Sequence, residues 1–459
     1  MRLRKKVLHF GEIMLHNPYK IVKMSKSGLE MWDRAIRAIP GGNGLLSKRP
    51  DRYAPDIWPT YYSKAKGVHI WDLDGNQYID MAQMGIGTAI LGYADDDVDN
   101  KVKEAINGGI NTTLNCPEEV YLAEKLLELN SFASGVKFAR TGGEAMAMAV
   151  RIARATTKKD TVAFSGYHGW SDWYLATNLD SEDNLNDHLL PGLSPLGVPH
   201  GLTGSAIPFR YNDAKDLRRQ VAGKEIAAII IEGARYDFAK KEFLQEITSV
   251  AKEKNAVIIF DEITSGWRML TGGVYKLYDF TPDMVVYGKA MGNGYAISAV
   301  VGKGDIMDHA QETFISSTFW TERVGFVAAL ETIRQMENRN TPAHLVHIGS
   351  IISSKWKSLF KKHNLNFKVT EFLPLVTFKP NYGDLNNEIL TYFTQEMLSR
   401  GYLAASSIYL SGCHTEEIIS DYMKNVDDVL GTLPEKISSR SIINSLRTSI
   451  REDGFKRLT

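Results

Sequence analysis

Short apolar runs alternate with longer amphipathic stretches through the middle of the chain. Residues 226–231 and 257–260 are apolar at every position, and residues 243–254 between them have helical spacing of apolar side chains. Runs that are apolar on both faces predict strands of a parallel sheet that is covered by helices. The pattern therefore predicts an α/β fold, with a large domain over residues 81–335 that carries a mostly parallel sheet.

The flanking regions have different patterns. Residues 69–80 contain two β-rich runs around the turn 72–76, which predicts a β-hairpin. We expect this hairpin, within an N-terminal segment 1–80, to pack with a smaller α+β domain at residues 336–433, where helical stretches alternate with short strands. Residues 434–459 are polar and charged, and the pattern assigns them no element.

Composition excludes several classes of protein. The 459 residues include 54 Lys and Arg and 54 Asp and Glu, so the formal net charge is zero, which disfavours a nucleic-acid binder with a broad basic face. The longest apolar runs fall short of the ~18–20 residues of a membrane span. Two cysteines, Cys116 and Cys413, are too few for a disulfide framework. These features predict a cytoplasmic protein without a membrane partner, and the first thirty or so residues are interpreted as an appended segment.

A lysine and an acid follow two of the predicted strands. Asp261 comes directly after residues 257–260, and Lys289 follows the apolar run 284–287 and one glycine. Ligands of an open α/β sheet bind outside the carboxyl ends of its strands. A pyridoxal 5′-phosphate enzyme needs this pair, because the lysine holds the cofactor as a Schiff base and the acid keeps the pyridine nitrogen protonated. Ala290 replaces the Ser or Thr of a P-loop, so that nucleotide motif is absent.

Two loops complete the predicted site. Thr141, Gly142 and Gly143 lie between a strand and a helix, where backbone N–H groups and the helix dipole attract a phosphate. Tyr167 lies between Gly166 and His168 at the end of another strand, where an aromatic ring can stack on a flat heterocycle. Each signal is weak alone, but the four follow one another within one predicted domain. No grouping of histidine, cysteine and acidic residues predicts a metal site.

These motifs, together with residues 71–75, 230–232 and 260–268, resemble the class III aminotransferases, a family of fold type I pyridoxal phosphate enzymes, and within it the glutamate-1-semialdehyde aminomutases. The resemblance covers residues 40 to about 433. It implies that Lys289 moves the reacting proton and Asp261 pairs with the pyridine nitrogen. It also implies that Tyr167 stacks on the ring, and it places His168 and Glu232 beside the cofactor, Glu232 without a firm role. His168 is either a proton shuttle or, as is more common, a loop histidine whose ring binds the backbone.

The resemblance further implies that the phosphate is bound by Thr141, Gly142 and Gly143 and, from a partner subunit, by Thr318. The expected assembly is a homodimer with the site at the interface. The substrates would be a small-molecule amino donor and a carbonyl acceptor.

The chain departs from the family pattern at several positions. The phosphate loop has Thr141, Gly142 and Gly143 where Ser-Gly-Thr is usual, and large residues follow Thr318. Residues 403–414 lack both the glutamate of the aminomutases and the arginine of many transaminases. A substrate-binding arginine near the N-terminus aligns loosely with Lys48 or Arg49. Four tryptophans either line an aromatic pocket or pack in the core; they are Trp170, Trp173, Trp267 and Trp320.

Several reactions use the same cofactor residues, and the sequence leaves them open. A transaminase moves an amino group from an amino acid to an aldehyde or ketone, and an aminomutase moves it within one molecule. A racemase or epimerase is the third alternative. The departures favour the transaminase. A dinucleotide oxidoreductase is disfavoured, because the glycine-rich stretch 85–90 ends in Ile90 and follows a hairpin. Retention of Lys289 and Asp261 disfavours a non-catalytic protein.

Overall fold

The structure is a computed structural model that describes residues 25–188 and 191–454. Most of the segment predicted to be appended at the N-terminus, residues 1–24, lies outside the described residues, as do residues 455–459 of the predicted polar tail.

Fourteen strands lie in the described part of the chain, in three sheets. In chain order they are β1 (Tyr62–Lys66), β2 (His69–Asp72), β3 (Gln77–Met81), β4 (Gly135–Ala139), β5 (Thr161–Ser165), β6 (Ala206–Pro208), β7 (Ile226–Glu232), β8 (Val257–Asp261), β9 (Met284–Tyr287), β10 (Ser298–Gly302), β11 (Phe367–Val369), β12 (Leu375–Pro380), β13 (Tyr402–Ala404) and β14 (Ser407–Tyr409). The α-helices are Lys26–Ala38, Met84–Gly87, Asp96–Asn107, Pro117–Leu129, Gly142–Thr157, Asp172–Leu175, Ala214–Val221, Lys241–Lys254, Gly304–Met307, Arg323–Asn338, Thr341–Lys362, Asn386–Ser399, Glu416–Gly431 and Leu433–Ser438.

The largest sheet contains seven strands in the order β4-β10-β9-β8-β7-β5-β6. Only β10 runs against its neighbours, and the other strands share one direction. Every residue of β7, β8 and β9 is buried. The prediction of a mostly parallel sheet covered by helices is confirmed, because continuous apolar runs are stable only where both faces of a strand are covered. The carboxyl ends of β5, β7, β8 and β9 therefore meet at one edge.

The predicted hairpin is present and belongs to a second sheet. β2 and β3 are antiparallel, and β13, from the far end of the chain, pairs parallel with β3. The third sheet has the order β11-β12-β14. These pairings bring residues 402–409 close to residues 77–82, and the N–H of Tyr409 donates to the carbonyl of Ala82 at 2.9 Å. The domain boundaries remain a prediction.

The described part of the C-terminal tail is ordered against the rest of the molecule. Ile442 is completely buried. The N–H of Glu452 donates to the carbonyl of Asp51, and the guanidinium of Arg52 donates to the carbonyls of Glu452 and Asp453. The tail thus holds the segment around Arg52 in place. No helix among the described residues has the length and apolar character needed to cross a membrane.

Candidate active site

Asp261 ends β8 as a buried carboxylate with fixed partners. Its Oδ2 lies 2.7 Å from Nδ1 of His168, and its Oδ1 accepts the N–H of Ile263 at 2.9 Å. Nε2 of His168 lies 3.2 Å from the carbonyl oxygen of Ser165, so both ring nitrogens face acceptors. The carboxylate is only 3% exposed. The predicted acid therefore has a fixed orientation at the carboxyl edge of the sheet.

Lys289 lies one strand away, directly after β9. It adopts a left-handed conformation with φ of 43°, and its Nζ donates to Oγ1 of Thr264 at 2.8 Å. Burial lowers the pKa of the Lys289 amine below its ordinary value, and Tyr409 is the main opposing influence. A lysine with a depressed pKa is more readily available as a free base near neutral pH.

An ion pair that the sequence analysis missed lies beside the lysine. Glu232 ends β7, opposite Asp261 in the register of the sheet, and its carboxylate binds the guanidinium of Arg235. Nη2 of Arg235 also donates to Oγ1 of Thr264 at 3.1 Å, so this hydroxyl joins Arg235 to Lys289. Burial raises the pKa of Glu232, but Arg235, His168 and Lys289 together lower it further than burial raises it. Glu232 is therefore an ionised partner of Arg235.

The predicted phosphate loop caps a sixteen-residue helix, Gly142–Thr157. Oγ1 of Thr141 accepts the N–H of Glu144 at 3.4 Å, while the Glu144 carboxylate accepts the N–H of Thr141 at 2.8 Å. The Thr141 hydroxyl is thus occupied by the helix cap. A Cβ on Gly142 would lie 2.8 Å from Cδ1 of Ile263, so the loop packs closely on the turn after Asp261. The first N–H groups of the helix, which lack intrahelical partners, are the ones suited to an anion.

Lys289 and Arg235 border a cavity of about 600 Å³. The described residues of its lining contain no acidic side chain, and they include Arg52, Tyr167, Gly169, Trp170, Arg235, Tyr236, Lys289 and Tyr409. Lys48 and Arg49 are not part of the lining, and Arg49 pairs instead with Asp51. Arg52 lines the cavity instead of these two residues, and the loose alignment of this segment gave no reason to choose it.

The tryptophans divide between the core and the surface. Trp170 lines the cavity and is 74% exposed, whereas Trp173 and Trp267 are buried in the core. Of the two alternatives that the sequence left open, core packing therefore holds for Trp173 and Trp267.

Thr318 is not brought to the cavity of its own chain. It begins the exposed turn Thr318–Thr321. Arg140, which precedes the phosphate loop, donates from Nε to the carbonyl of Phe319 at 2.6 Å, and Nε1 of Trp320 donates to Glu144 at 3.3 Å. The turn is thus attached to the outer side of the phosphate loop, and its role in phosphate binding stays a prediction.

The donor set fits pyridoxal 5′-phosphate. Asp261 offers a buried carboxylate for a protonated ring nitrogen, Lys289 offers an amine inside a cavity, and the helix N-terminus at Gly142 offers N–H groups for a phosphate. The loop that carries Tyr167 adjoins the phosphate loop, since a Cβ on Gly169 would lie 3.1 Å from Cα of Gly143. Tyr167 and Lys289 line the cavity itself, whereas Asp261, Gly142 and Gly143 lie outside its lining, and their role in cofactor binding stays a prediction.

Comparisons with known proteins agree with this chemistry. The family model for class-III aminotransferases matches residues 52–370. The chain belongs to the class III aminotransferase family. The 3-aminobutyryl-CoA aminotransferase of Cloacimonas acidaminovorans is 32% identical over 82% of this chain and 89% of its own. The glutamate-1-semialdehyde 2,1-aminomutase of Saccharolobus islandicus is 28% identical over 88% and 97%.

The fold is also that of known transaminase-type enzymes. The structure of the FumI protein from Sphingopyxis sp. MTA144, in a PLP form, has a TM-score of 0.80 and 23% identity, and the match covers 90% of this chain and 97% of that one. This class III aminotransferase is therefore a fold type I enzyme, and its cofactor is pyridoxal 5′-phosphate. Sequence patterns located Lys289, Asp261 and both loops, but they gave no indication of Thr264 or Tyr409.

Proposed function

We propose that this enzyme transfers an amino group from an amino-acid donor to an aldehyde or ketone acceptor, with Lys289 and Asp261 as the central residues. The observation that carries the proposal is their placement at the carboxyl ends of the adjacent strands β8 and β9. A buried acid and a cavity-facing amine at this edge are the two groups that the cofactor chemistry requires.

Each residue has a distinct task in this proposal. The bound cofactor supplies an electron sink for the carbanion at the reacting carbon. Lys289 would take the proton from that carbon and return it to the carbon on the other side of the transferred nitrogen, for which a free amine with a lowered pKa is suited. Asp261 holds a proton on the ring nitrogen, and His168 fixes the orientation of its carboxylate. Tyr167 covers one face of the ring, and the N–H groups of Gly142 and Gly143 bind the phosphate.

The cavity favours a substrate with a negative charge. The guanidinium of Arg52 donates only to backbone carbonyls and forms no ion pair with any carboxylate in the described part of the chain. Arg235 is already neutralised by Glu232. Arg52 is therefore proposed to bind a carboxylate of the donor or acceptor, in a lining that lacks acids.

We further propose a cytoplasmic homodimer in which Thr318 of one subunit completes the phosphate site of the other. Support comes from the exposure of the turn and of its neighbours Phe319 and Phe314, which are 64% and 89% exposed. Large exposed apolar side chains mark protein contact surfaces. Cys116 and Cys413 are both free thiols, as expected in a reducing compartment.

The function is tested by the absorbance of the purified protein with pyridoxal phosphate before and after addition of glutamate. We expect the band of the bound cofactor to change to that of the amino form, with one equivalent of 2-oxoglutarate released. Trials of other amino donors follow if glutamate fails. Isomerisation of an amino aldehyde without release of any keto acid would instead identify an aminomutase. Absence of a cofactor band would contradict both reactions.

A further inference from the structure

Among the described residues that line the cavity, Tyr409 is the one tyrosine that is classed as buried. Tyr409 ends β14, is 5% exposed, and lines the cavity together with Lys289. Its hydroxyl forms no hydrogen bond with any residue in the described ranges. The oxygen is not fully enclosed by protein atoms, so a charge or a ligand in the cavity can interact with it.

Cations surround this phenol. The guanidinium carbon of Arg268 lies 5.1 Å from the centroid of the Tyr409 ring, and Nη1 of Arg268 has no hydrogen-bond partner in the described residues. Lys289 and Arg235 line the same cavity. Glu232 is the acid on this side, and it is already paired with Arg235. A negative charge on the phenol oxygen would therefore be stabilised from several directions.

The backbone opposite holds the ring in one place. Gly87 has φ of 78°, and a Cβ there would lie 2.5 Å from Cδ1 of Tyr409 and 2.6 Å from Nη2 of Arg268. The Arg268 side chain is anchored independently, because its Nε donates to the carbonyl of Thr264 at 2.7 Å. Thr264 is also the residue whose hydroxyl binds Lys289. Tyr409 is thus connected to Lys289 through Arg268 and Thr264, although the two residues lie far apart in the sequence.

The electrostatic effects between the two side chains are mutual. Burial raises the pKa of Tyr409, but Lys289, Arg235 and Arg268 together lower it below its ordinary value, against an opposing effect of Glu232. Burial lowers the pKa of Lys289, and Tyr409 is the largest influence that raises it. Tyr236, the neighbouring phenol in the cavity, has a raised pKa instead, chiefly because of burial. Cations also lie near Tyr236, but they outweigh the effect of burial on the pKa only at Tyr409.

We propose that Tyr409 is the acid–base partner of Lys289: in its ionised form it stabilises the ammonium form of the lysine across the cavity, and so sets the pH at which the lysine becomes a free base. One proton leaves the phenol and one is held by the amine, and no other bond changes. The two groups are not directly hydrogen-bonded, so Tyr409 is a positioning residue that acts through Lys289. Its catalytic consequence rests on the proposed function, but the charge coupling itself does not.

The test is Tyr409→Phe, which removes the oxygen and keeps the ring beside Gly87 and Arg268. The ultraviolet difference titration of the native protein against this variant should show a tyrosine that ionises below the ordinary value of about 10. In the cofactor-free full chain, the pH midpoint for acetylation of Lys289, mapped by mass spectrometry, should fall by about one unit. That shift equals a tenfold change in the free-base fraction. The acid limb of the pH–rate profile of the loaded enzyme should move in the same direction.

Tyr236→Phe is the matched control, because it removes another hydroxyl from the same cavity. The pH midpoint for acetylation of Lys289 in Tyr236→Phe should equal that of the native protein. An equal shift of this midpoint in both variants would overturn the proposal. An unchanged midpoint in Tyr409→Phe would do the same. If that variant does not fold, the native titration alone decides, since the absence of an early-ionising tyrosine contradicts the coupling. If the Lys289 midpoint shifts in Tyr409→Phe but the native enzyme transaminates no substrate, the coupling of Tyr409 and Lys289 stands and only the proposed function is refuted.

Discussion

The carboxylate of Asp261 and the imidazole of His168 form a buried pair, with 2.7 Å between Oδ2 and Nδ1. Strand β8 supplies the acid and the loop after β5 supplies the histidine, so their contact fixes two separate parts of the site. The second nitrogen of His168 is anchored to the carbonyl of Ser165. The loop that carries Tyr167 is thereby tied to the residue proposed to hold the ring nitrogen of the cofactor.

Loss of His168 should weaken both the fold and the site. His168→Leu leaves a buried carboxylate without its partner, which typically costs about 3–5 kcal/mol. We expect a lower melting temperature and weaker binding of pyridoxal phosphate, measured by thermal unfolding and fluorescence titration. His168→Gln, which retains a donor, should recover part of both losses. Equal stability of native protein and His168→Leu would show that the pair contributes nothing.

Asp261→Asn tests the acid at the ring nitrogen. The amide keeps the shape of the side chain, so the fold should persist, while the barrier to turnover should rise by several kcal/mol, at about 1.4 kcal/mol for each factor of ten. Steady-state rates together with circular dichroism measure the two effects. An unchanged rate in this variant would remove Asp261 from the mechanism.

Lys289→Ala removes the amine that moves the proton. We expect the rate to fall by at least about 10²–10⁴-fold, the range that proton transfer alone contributes, and the visible band of the bound cofactor to disappear. The fold should be unaffected, because among the described residues the Nζ atom donates a hydrogen bond to the hydroxyl of Thr264 alone. Full activity in this variant would contradict the mechanism.

The Glu232–Arg235 pair gives a prediction with a defined pH dependence. Glu232 has a lowered pKa in the folded state, so its contribution to stability is present above the unfolded value of about 4.5 and is lost as the pH falls through the folded value. The stability of Glu232→Gln, measured by urea unfolding, should not show this loss at acid pH.

A second test removes the cation. Arg235→Leu at neutral pH should lower the free energy of unfolding by about 3–5 kcal/mol, and the double variant should recover much of that loss. Identical pH profiles for native protein and Glu232→Gln would be contrary evidence.

For Glu262 we expect the opposite dependence of folding stability on pH. It is completely buried, and burial raises its pKa to about 7, although Ser265 and the N–H of Tyr275 donate to it. The folded state therefore binds the proton more tightly than the unfolded chain, and stability should fall as the pH rises from about 4.5 to about 7. The loss is on the order of 3 kcal/mol at 1.36 kcal/mol per unit. Urea unfolding of Glu262→Gln over this range should lack that decline.

The sequence by itself determined the large sheet, the hairpin and four positions at the carboxyl edge. Continuous apolar runs such as β7 and β8 form buried strands wherever they are placed, and the residue that follows each run must lie at the strand's end. Asp261 and Lys289 were located in this way, because one local pattern fixes both the strand and its terminus.

Only the tertiary structure decided which side chains surround the lysine. Tyr409 is 120 residues from Lys289 in the chain and reaches the cavity through the pairing of β14 with β12, which no local pattern encodes. Arg52 and the Arg235–Thr264–Lys289 contacts likewise depend on how separate elements pack. Periodicity reports whether a residue is buried, but the identity of its neighbours and the charges that act on it are set by contacts between distant segments.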